Sequence, residues 1–190
     1  MKRILILLCI FSSCSTDRND EYTAERYRVY ETILEQELPW SQFKKVLVSN
    51  ETTQWIPVSA QQRDTALIHF NDLSKLKNYW QDFEPDTFLT DFTARNAHPN
   101  PVDINLFHYC WRIDSINLRV ANYNDYFRDD DIDHAIVYCY SMPSFNKGFT
   151  EAILYYQYYC GHSRGQGAWY WLRKREQDWV IVGKHRVWWS

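Results

Sequence analysis

The stretch TEAILYYQYYCGHSRGQGAWYWLRKREQDWVIVGKHRVWW (150–189) decides the fold. It contains three runs that alternate or are densely β-prone, separated by turn-rich breaks. With AIVYCYS (135–141) just before it, the stretch predicts a four-stranded antiparallel meander. The whole chain carries nine Trp, fourteen Tyr and ten Phe beside only five Gly. Such a density of aromatic rings favours a half-buried sheet.

Alternation along these strands assigns their side chains to two faces of the sheet. We take the last hairpin to turn at Glu176-Gln177 and place Cys160 opposite Ala168. The more apolar face, which we expect to form the core under the helices, then holds Leu154, Tyr156, Tyr158, Cys160, Ala168, Tyr170, Leu172, Ile181, Val187 and Trp189. A slip of one residue would exchange the two faces, so the assignment depends on the turn positions.

The opposite face mixes indole rings with cations. Its candidate binding residues are Trp169, Trp171, Arg173, Lys184, Arg186 and Trp188. Indoles and cations side by side can stack on a sugar, a peptide or a partner protein. The alternative is purely structural: the Arg and Lys stems cover the indoles, or the N-terminal helix buries them.

The first half of the chain predicts helices and two short strands. Apolar residues at near-helical spacing predict an amphipathic helix over 22–38, stopped by Pro39. KKVLVSN (44–50) and ALIHF (66–70) predict strands, and LSKLKNYWQDF (73–83) and PDTFLTDFTARNA (85–97) predict helices. The predicted fold class is therefore α+β, with N-terminal helices packed on a C-terminal meander of four or more antiparallel strands.

The N-terminus has the pattern of an export signal. Lys2 and Arg3 precede an apolar run, Ile4–Phe11, that is far shorter than the roughly 20 residues of a membrane span. The sequence FSSC (11–14) that follows resembles the lipobox of bacterial lipoproteins. It predicts a signal peptide over 1–13, a lipidated tether over 14–21 with Cys14 acylated, and a single domain over 22–190. An ordinary signal peptide with a chance cysteine is the alternative.

Charge and cysteine content limit the functions that this chain can have. Without Lys2 and Arg3 the 21 basic residues become 19, which against 24 acidic residues gives a net charge of −5. This mild acidity argues against nucleic-acid binding, which needs a basic surface. Three cysteines remain beyond Cys14, so at most one disulfide can form. The expected register separates Cys139 from Cys160 by roughly 20 Å, and a bridge from Cys110 to either stays open.

No motif in the chain indicates catalysis or metal binding. Cys160 and His162 lack the geometry of an activated nucleophile in a strand, and GHSRGQG leads into a strand rather than a helix. The acidic run at 129–133 departs from the calcium-loop pattern where Gly and Glu are required. The six histidines show no zinc spacing. We therefore predict no catalytic residue, no metal and no cofactor.

The C-terminal half carries a resemblance to a known group of proteins. SMPSFNKGFTEAILYYQYYC, GQG and the final strand follow the pattern S-x-x-x-F-N, A-x-x-Y, C-G-x-x-C-G-x-G, W-x-V/I-V and a terminal W-x-S. They resemble the signature of uncharacterised secreted and lipoprotein domains of bacteria, as does FLTDFTARNAHPNPVD (88–103). The resemblance implies no known activity. Arg164 stands where relatives often have a second cysteine, so a local cysteine pair is not carried over.

These observations predict a lipid-anchored lipoprotein of the bacterial cell envelope with a non-catalytic binding domain. Its expected partners are the membrane, through the anchor, and an envelope protein, peptide or glycan, but no nucleic acid. The alternatives are a hydrolase-type enzyme with its site between helices and sheet, and a carbohydrate-binding module. The sequence leaves these three open.

Overall fold

The computed structural model describes residues 2–37, 45–53, 85–108, 113–116, 135–160 and 164–189. The helical elements are α1 (Lys2–Glu37), α2 (Pro85–Arg95) and a short 3-10 turn (Ile104–Leu106). The strands are β1 (Lys45–Ser49), β2 (Ile113–Ile116), β3 (Ala135–Tyr140), β4 (Ser144–Phe145), β5 (Glu151–Cys160), β6 (Arg164–Arg175) and β7 (Asp178–Trp189). The helix predicted over 85–97 and the strand predicted over 44–50 are confirmed as α2 and β1. The elements predicted over 66–70 and 73–83 lie outside the described residues.

The strands form one sheet in the order β2-β1-β3-β5-β6-β7, with β4 paired to β5. The four strands predicted from the C-terminal sequence are adjacent and antiparallel, as expected. The sheet as a whole is larger and mixed, because β1 pairs in parallel with both β2 and β3. The protein is therefore mainly sheet, not helices on a four-stranded meander. A parallel pair joins strands that are distant in sequence, so local patterns do not reveal it.

Helix α1 begins 20 residues before the helix predicted from the sequence. It continues through 14–21, where the sequence predicts a polar tether. Its second half buries Tyr27, Tyr30, Ile33 and Leu34 at the three- and four-residue spacing of one helix face. No helix in the described part of the chain combines the length and the apolar character needed to cross a membrane.

One face of the sheet packs against α1. We call it the tyrosine face, after Tyr138, Tyr140, Tyr156, Tyr158 and Tyr170. Alternate residues of β5 and β6 complete it, namely Ala152, Leu154, Ala168 and Leu172. All of these even-numbered residues of β5 and β6 lie on the face that the sequence assigns to the core, so the assignment is confirmed for β5 and β6. On β7, Ile181 packs against the same core, whereas Val187 is 37% exposed.

The other face packs against α2. We call it the tryptophan face, and it comprises Ile153, Tyr155, Trp169 and Trp171. Phe88 and Phe92 of α2 cover it, and the Phe92 and Trp169 ring centroids lie 4.7 Å apart. The sheet therefore has a helix on each side, whereas the sequence predicts helical cover for one face only.

The residues between β3 and β5 change the register of β3. Ser141 receives a hydrogen bond from Tyr155 N on its side-chain oxygen and donates its own N–H to Tyr155 O. In the register that these bonds continue, Cys139 lies opposite Gln157, whereas the sequence predicts Ala152. Cys139 consequently lies on the opposite face from Cys160, so these two cysteines do not pair with each other. Cys110 lies outside the described residues.

Candidate ligand-binding cleft

The six predicted binding residues do not share one face. Lys184 and Arg186 lie opposite Tyr170 and Ala168, on the tyrosine face. The expectation is wrong for these two residues because an irregularity at Trp171/Leu172 shifts the pairing of β6 and β7 by one residue. A second irregularity, at Gly167/Ala168, returns Trp188 to its predicted face. Lys184 Nζ instead bonds Glu37 Oε2 of α1 at 2.6 Å.

The other four residues stay on the tryptophan face, but they do not form an open surface. Trp169 and Trp171 are only 2% and 0% exposed beneath α2. Arg173 bonds Glu151 through Nε and Nη2. Trp188 lies over Gly167, where a Cβ would overlap its ring, and donates to the Tyr155 hydroxyl at 2.7 Å. The two buried indoles match the structural alternative, although α2 rather than the N-terminal helix buries them.

A cleft of about 740 Å³ lies beside the tryptophan face, where α1, α2 and the turn between β4 and β5 meet. Tyr22 of α1 forms one wall. Phe88, Asp91 and Arg95 of α2 form the second, and residues 144–149 form the third. Because Phe88, Asp91 and Arg95 follow one another at three- and four-residue spacing, they lie on the same side of α2.

Asp91 links the second wall to the third. Its Oδ2 atom accepts hydrogen bonds from Arg95 Nε at 2.7 Å and from Ser144 Oγ at 2.6 Å. The carboxylate thereby holds the guanidinium and fixes the position of β4 relative to α2. Charge-assisted hydrogen bonds of this length are among the stronger polar contacts in proteins.

Asn96 fastens the end of α2 to the segment before β4. Its side-chain nitrogen donates to Phe92 O and Met142 O, and its oxygen accepts from Met142 N. Asn96 is only 1% exposed. A buried amide with these three hydrogen bonds locks two segments together, because each broken bond would leave a buried polar group unsatisfied.

Tyr22 joins α1 to both other walls. Its hydroxyl donates to Pro143 O at 2.8 Å, and its ring centroid lies 5.3 Å from that of Phe145. The Arg95 guanidinium lies 4.4 Å from the Tyr22 ring centroid. Burial raises the pKa of Tyr22 to about 12, although Arg95 acts in the opposite direction. Tyr22 therefore stays neutral at physiological pH and serves as a hydrogen-bond donor.

The turn in the third wall contains an unfavourable backbone conformation. Phe149 has φ 50°, in the left-handed region that bulky residues avoid at a cost of about 1–2 kcal/mol. Asn146 Oδ1 holds the turn by accepting from Thr150 N and Glu151 N. The Phe149 ring is buried with its centroid 5.2 Å from that of Phe145. Such strain is found most often at functional sites.

The titratable side chains of Tyr22, Asp91 and Arg95 are engaged with one another in the cleft. Ser144 gives its hydroxyl hydrogen to Asp91, but that same carboxylate oxygen is also held by Arg95. Among the residues that the structure describes, the cleft is lined by no histidine that could serve as a general base for the serine. Within the described ranges, no group of three or more His, Cys, Asp or Glu side chains could hold a metal ion.

Sequence reasoning did not single out this cleft from residue chemistry. One wall comes from SMPSFN (141–146), which only the resemblance singles out, and another from FLTDFTARN (88–96), which lies in the helix predicted over 85–97. The Asp91 and Arg95 spacing was the available signal, because carboxylate and guanidinium four residues apart pair on a helix. No family model, curated protein or solved structure matches this chain.

Proposed function

We propose that this protein is a lipid-anchored binding protein of the bacterial cell envelope, and that it holds a small ligand in the cleft between α1, α2 and the β4–β5 turn. One observation carries the proposal: the cleft walls are fixed to one another by side chains that also line it. Asp91, Arg95 and Tyr22 each contact more than one wall. A site that is already formed needs little ordering when its ligand binds.

The dimensions and lining of the cleft support a small ligand. Its volume of about 740 Å³ lies within the roughly 300–1,000 Å³ of small-molecule sites. The aromatic rings of Phe88, Phe145 and Phe149 supply apolar surface, and Asp91 and Arg95 supply a few polar groups. This combination is typical of sites that orient a ligand through polar contacts and bind its body through apolar ones.

The proposed anchor places this cleft close to a membrane. Tyr22 follows Cys14 by eight residues, which span about 12 Å as a helix and at most about 28 Å when extended. An acylated Cys14 would therefore hold the cleft within reach of the bilayer surface. Two acyl chains suffice for stable anchoring. We expect Cys14→Ala to abolish palmitate incorporation and to release the protein from the membrane fraction.

Gly148 offers a direct test of the binding site. It lines the cleft, and a Cβ there would meet only Thr150 side-chain atoms at 3.7 and 3.9 Å, which is ordinary contact. Gly148→Trp therefore adds a ring to the cleft wall, whereas Gly148→Ala adds one methyl group and serves as the matched control.

The test compares the full chains after expression in a bacterium that acylates lipoproteins. Native mass spectrometry of detergent-extracted protein should find a bound small molecule on the wild type and on Gly148→Ala, but not on Gly148→Trp. Urea unfolding establishes that all three are folded. An unliganded wild type, or equal occupancy in the Trp variant, would contradict the proposed function.

A further inference from the structure

The charges of the cleft point to the kind of ligand it takes. Arg95 and Lys147 contribute two positive charges and Asp91 one negative charge. Asp91 is already engaged by Arg95 and Ser144. Lys147 is exposed on the β4–β5 turn and forms no ion pair with any residue that the structure describes. The cleft therefore has one cation more than it neutralises internally.

Arg95 is held in the orientation that an anion receptor requires. Its Nε atom bonds Asp91 and its guanidinium lies against the Tyr22 ring. A side-chain hydrogen bond also joins Arg95 to Tyr22, and no carboxylate or carbonyl within the described ranges accepts one from the two terminal nitrogens of Arg95. A guanidinium fixed in this way presents a planar pair of donors that matches two oxygens of one oxyanion. Phosphate and carboxylate are the groups with that geometry.

The Asp91 carboxylate further restricts the class of ligand that the cleft can bind. Its side chain is 34% exposed, so the ligand meets a carboxylate next to the cations. A second anionic group would be repelled there, whereas a hydroxyl group would donate to the carboxylate. The ligand should therefore carry one oxyanion on a compact body with hydroxyl groups.

We propose that the cleft binds a phosphorylated polyol, with Arg95 and Lys147 on the phosphate and Asp91 on a hydroxyl group. This inference rests on the proposed function, because it names the ligand class of the same cleft. Two sources share this chemistry: a soluble polyol phosphate, and the headgroup of an anionic glycerophospholipid in the membrane that holds the anchor. Both present a phosphate on a glycerol unit.

The experiment uses the full lipidated chain in nanodiscs of phosphatidylcholine. Isothermal titration with sn-glycerol 3-phosphate should show binding, and glycerol, which lacks the phosphate, should not bind. Loss of the guanidinium in Arg95→Gln should weaken binding about tenfold or more, and loss of the exposed charge in Lys147→Gln about threefold. Arg95→Lys keeps the charge without the planar fork and should fall between Arg95→Gln and the wild type.

Arg186→Gln is the matched control, because it removes an exposed cation from β7 that does not line the cleft. It should bind as the wild type does. The inference is overturned if sn-glycerol 3-phosphate does not bind, or if Lys147→Gln and Arg95→Gln both bind it like the wild type. Urea unfolding midpoints separate lost binding from lost folding. Lys147→Gln keeps the test valid if Arg95→Gln fails to fold.

Two further arms separate the sources and the two proposals. Phosphatidylglycerol at about a fifth of the nanodisc lipid should compete with sn-glycerol 3-phosphate if the headgroup is the ligand, and should leave its affinity unchanged if the ligand is soluble. If Gly148→Trp abolishes the co-purified ligand while sn-glycerol 3-phosphate fails to bind, the ligand class is wrong and the binding function stands. If Gly148→Trp retains that ligand, the binding function itself fails.

Discussion

The two faces of the sheet are both rich in aromatic residues, yet they are closed in different ways. The tyrosine face lies beneath the second half of α1, which buries four or more apolar side chains and adds a buried ionic contact at Glu25. The tryptophan face lies beneath the 11 residues of α2, whose buried aromatic contacts are Phe88 and Phe92. The shorter helix leaves a cleft where it meets α1. A high density of aromatic residues therefore indicates burial on both faces of the sheet. The candidate site lies where the two covering helices, α1 and α2, meet.

The largest expected effect is a loss of folding stability at alkaline pH, which arises mainly from the tyrosine face. Burial raises the pKa of five fully buried tyrosines, all in the tyrosine-face core, well above 10: Tyr30, Tyr138, Tyr140, Tyr156 and Tyr170. On the tryptophan face, Tyr155 has its pKa raised to about 12.

The sign of the pH effect follows from these shifts. Below pH 10 these tyrosines are neutral in both the folded and the unfolded chain, so the free energy of unfolding has its full value. Above pH 10 the unfolded chain ionises first, so each such tyrosine lowers the free energy of unfolding by about 1.4 kcal/mol per pH unit until its folded pKa is reached. We expect cooperative unfolding above pH 10, with tyrosinate absorbance at 295 nm rising in the same step as the loss of circular dichroism. A gradual rise of absorbance in a chain that stays folded would contradict a buried tyrosine face.

The second prediction tests how weakly α2 closes the tryptophan face. Phe92→Ala should lower the free energy of unfolding by about 3–5 kcal/mol, because Phe92 is fully buried against Trp169. The backbone amides of α2 should exchange faster than in the wild type through local opening, whereas the amides of α1 should exchange only when the whole domain unfolds. Thr93→Ala, at an exposed neighbouring position, should change stability by less than about 0.5 kcal/mol. Equal acceleration in α1 would mean that the two covers are not independent.

The third prediction concerns the ionic contact under α1. Glu25 is 6% exposed and accepts hydrogen bonds from Lys174 Nζ at 2.7 Å and Trp179 Nε1 at 2.6 Å. Glu25→Gln should cost about 2–4 kcal/mol in urea unfolding, because it leaves the largely buried Lys174 ammonium unpaired. Glu35→Gln, on the exposed side of the same helix, is the control and should have little effect. A small loss for Glu25→Gln would show that this ionic contact does not help to hold α1 on the sheet.

Part of this comparison could be predicted from the sequence. The hairpin between β5 and β6 places Tyr156 opposite Ala168, four residues from the expected pairing of Cys160 with Ala168. Because side chains alternate between the two faces, a pairing error of an even number of residues leaves every side chain on its predicted face. The irregularity opposite Trp171/Leu172 adds one residue to β7, so it moves Lys184 and Arg186 to the other face. No local pattern announces such an irregularity in advance.

The packing of α2 on the tryptophan face could not be predicted from the sequence, for a different reason. The helix over 85–97 was predicted, but an amphipathic pattern does not say which face of a sheet a helix will meet. Asn96 decides this by two hydrogen bonds to Met142, which lies 46 residues further along the chain. Long-range polar contacts of this kind have no sequence period, so the cleft they create could not be derived from periodicity.

The smallest expected effect compares two turns with the same strained backbone. Phe149 at the cleft has φ 50° and Glu176 in the β6–β7 turn has φ 56°. Glu176→Gly should raise the free energy of unfolding by up to about 1 kcal/mol, since glycine removes the strain and Glu176 is exposed. Phe149→Gly should instead lower it by about 1–3 kcal/mol, because the buried ring is lost. If both substitutions stabilise the fold equally in urea unfolding, the Phe149 ring has no role in the cleft wall.

The central claim is that the ligand occupies the cleft and does not bind at Lys184 and Arg186 of β7, which the sequence predicts as binding residues. Hydrogen–deuterium exchange of the full chain, with and without saturating sn-glycerol 3-phosphate, tests it most directly. We predict slower exchange in the β4–β5 turn (144–151) and in α2, and no change over 184–189. Protection confined to 184–189, or no protection in either region, would contradict the account.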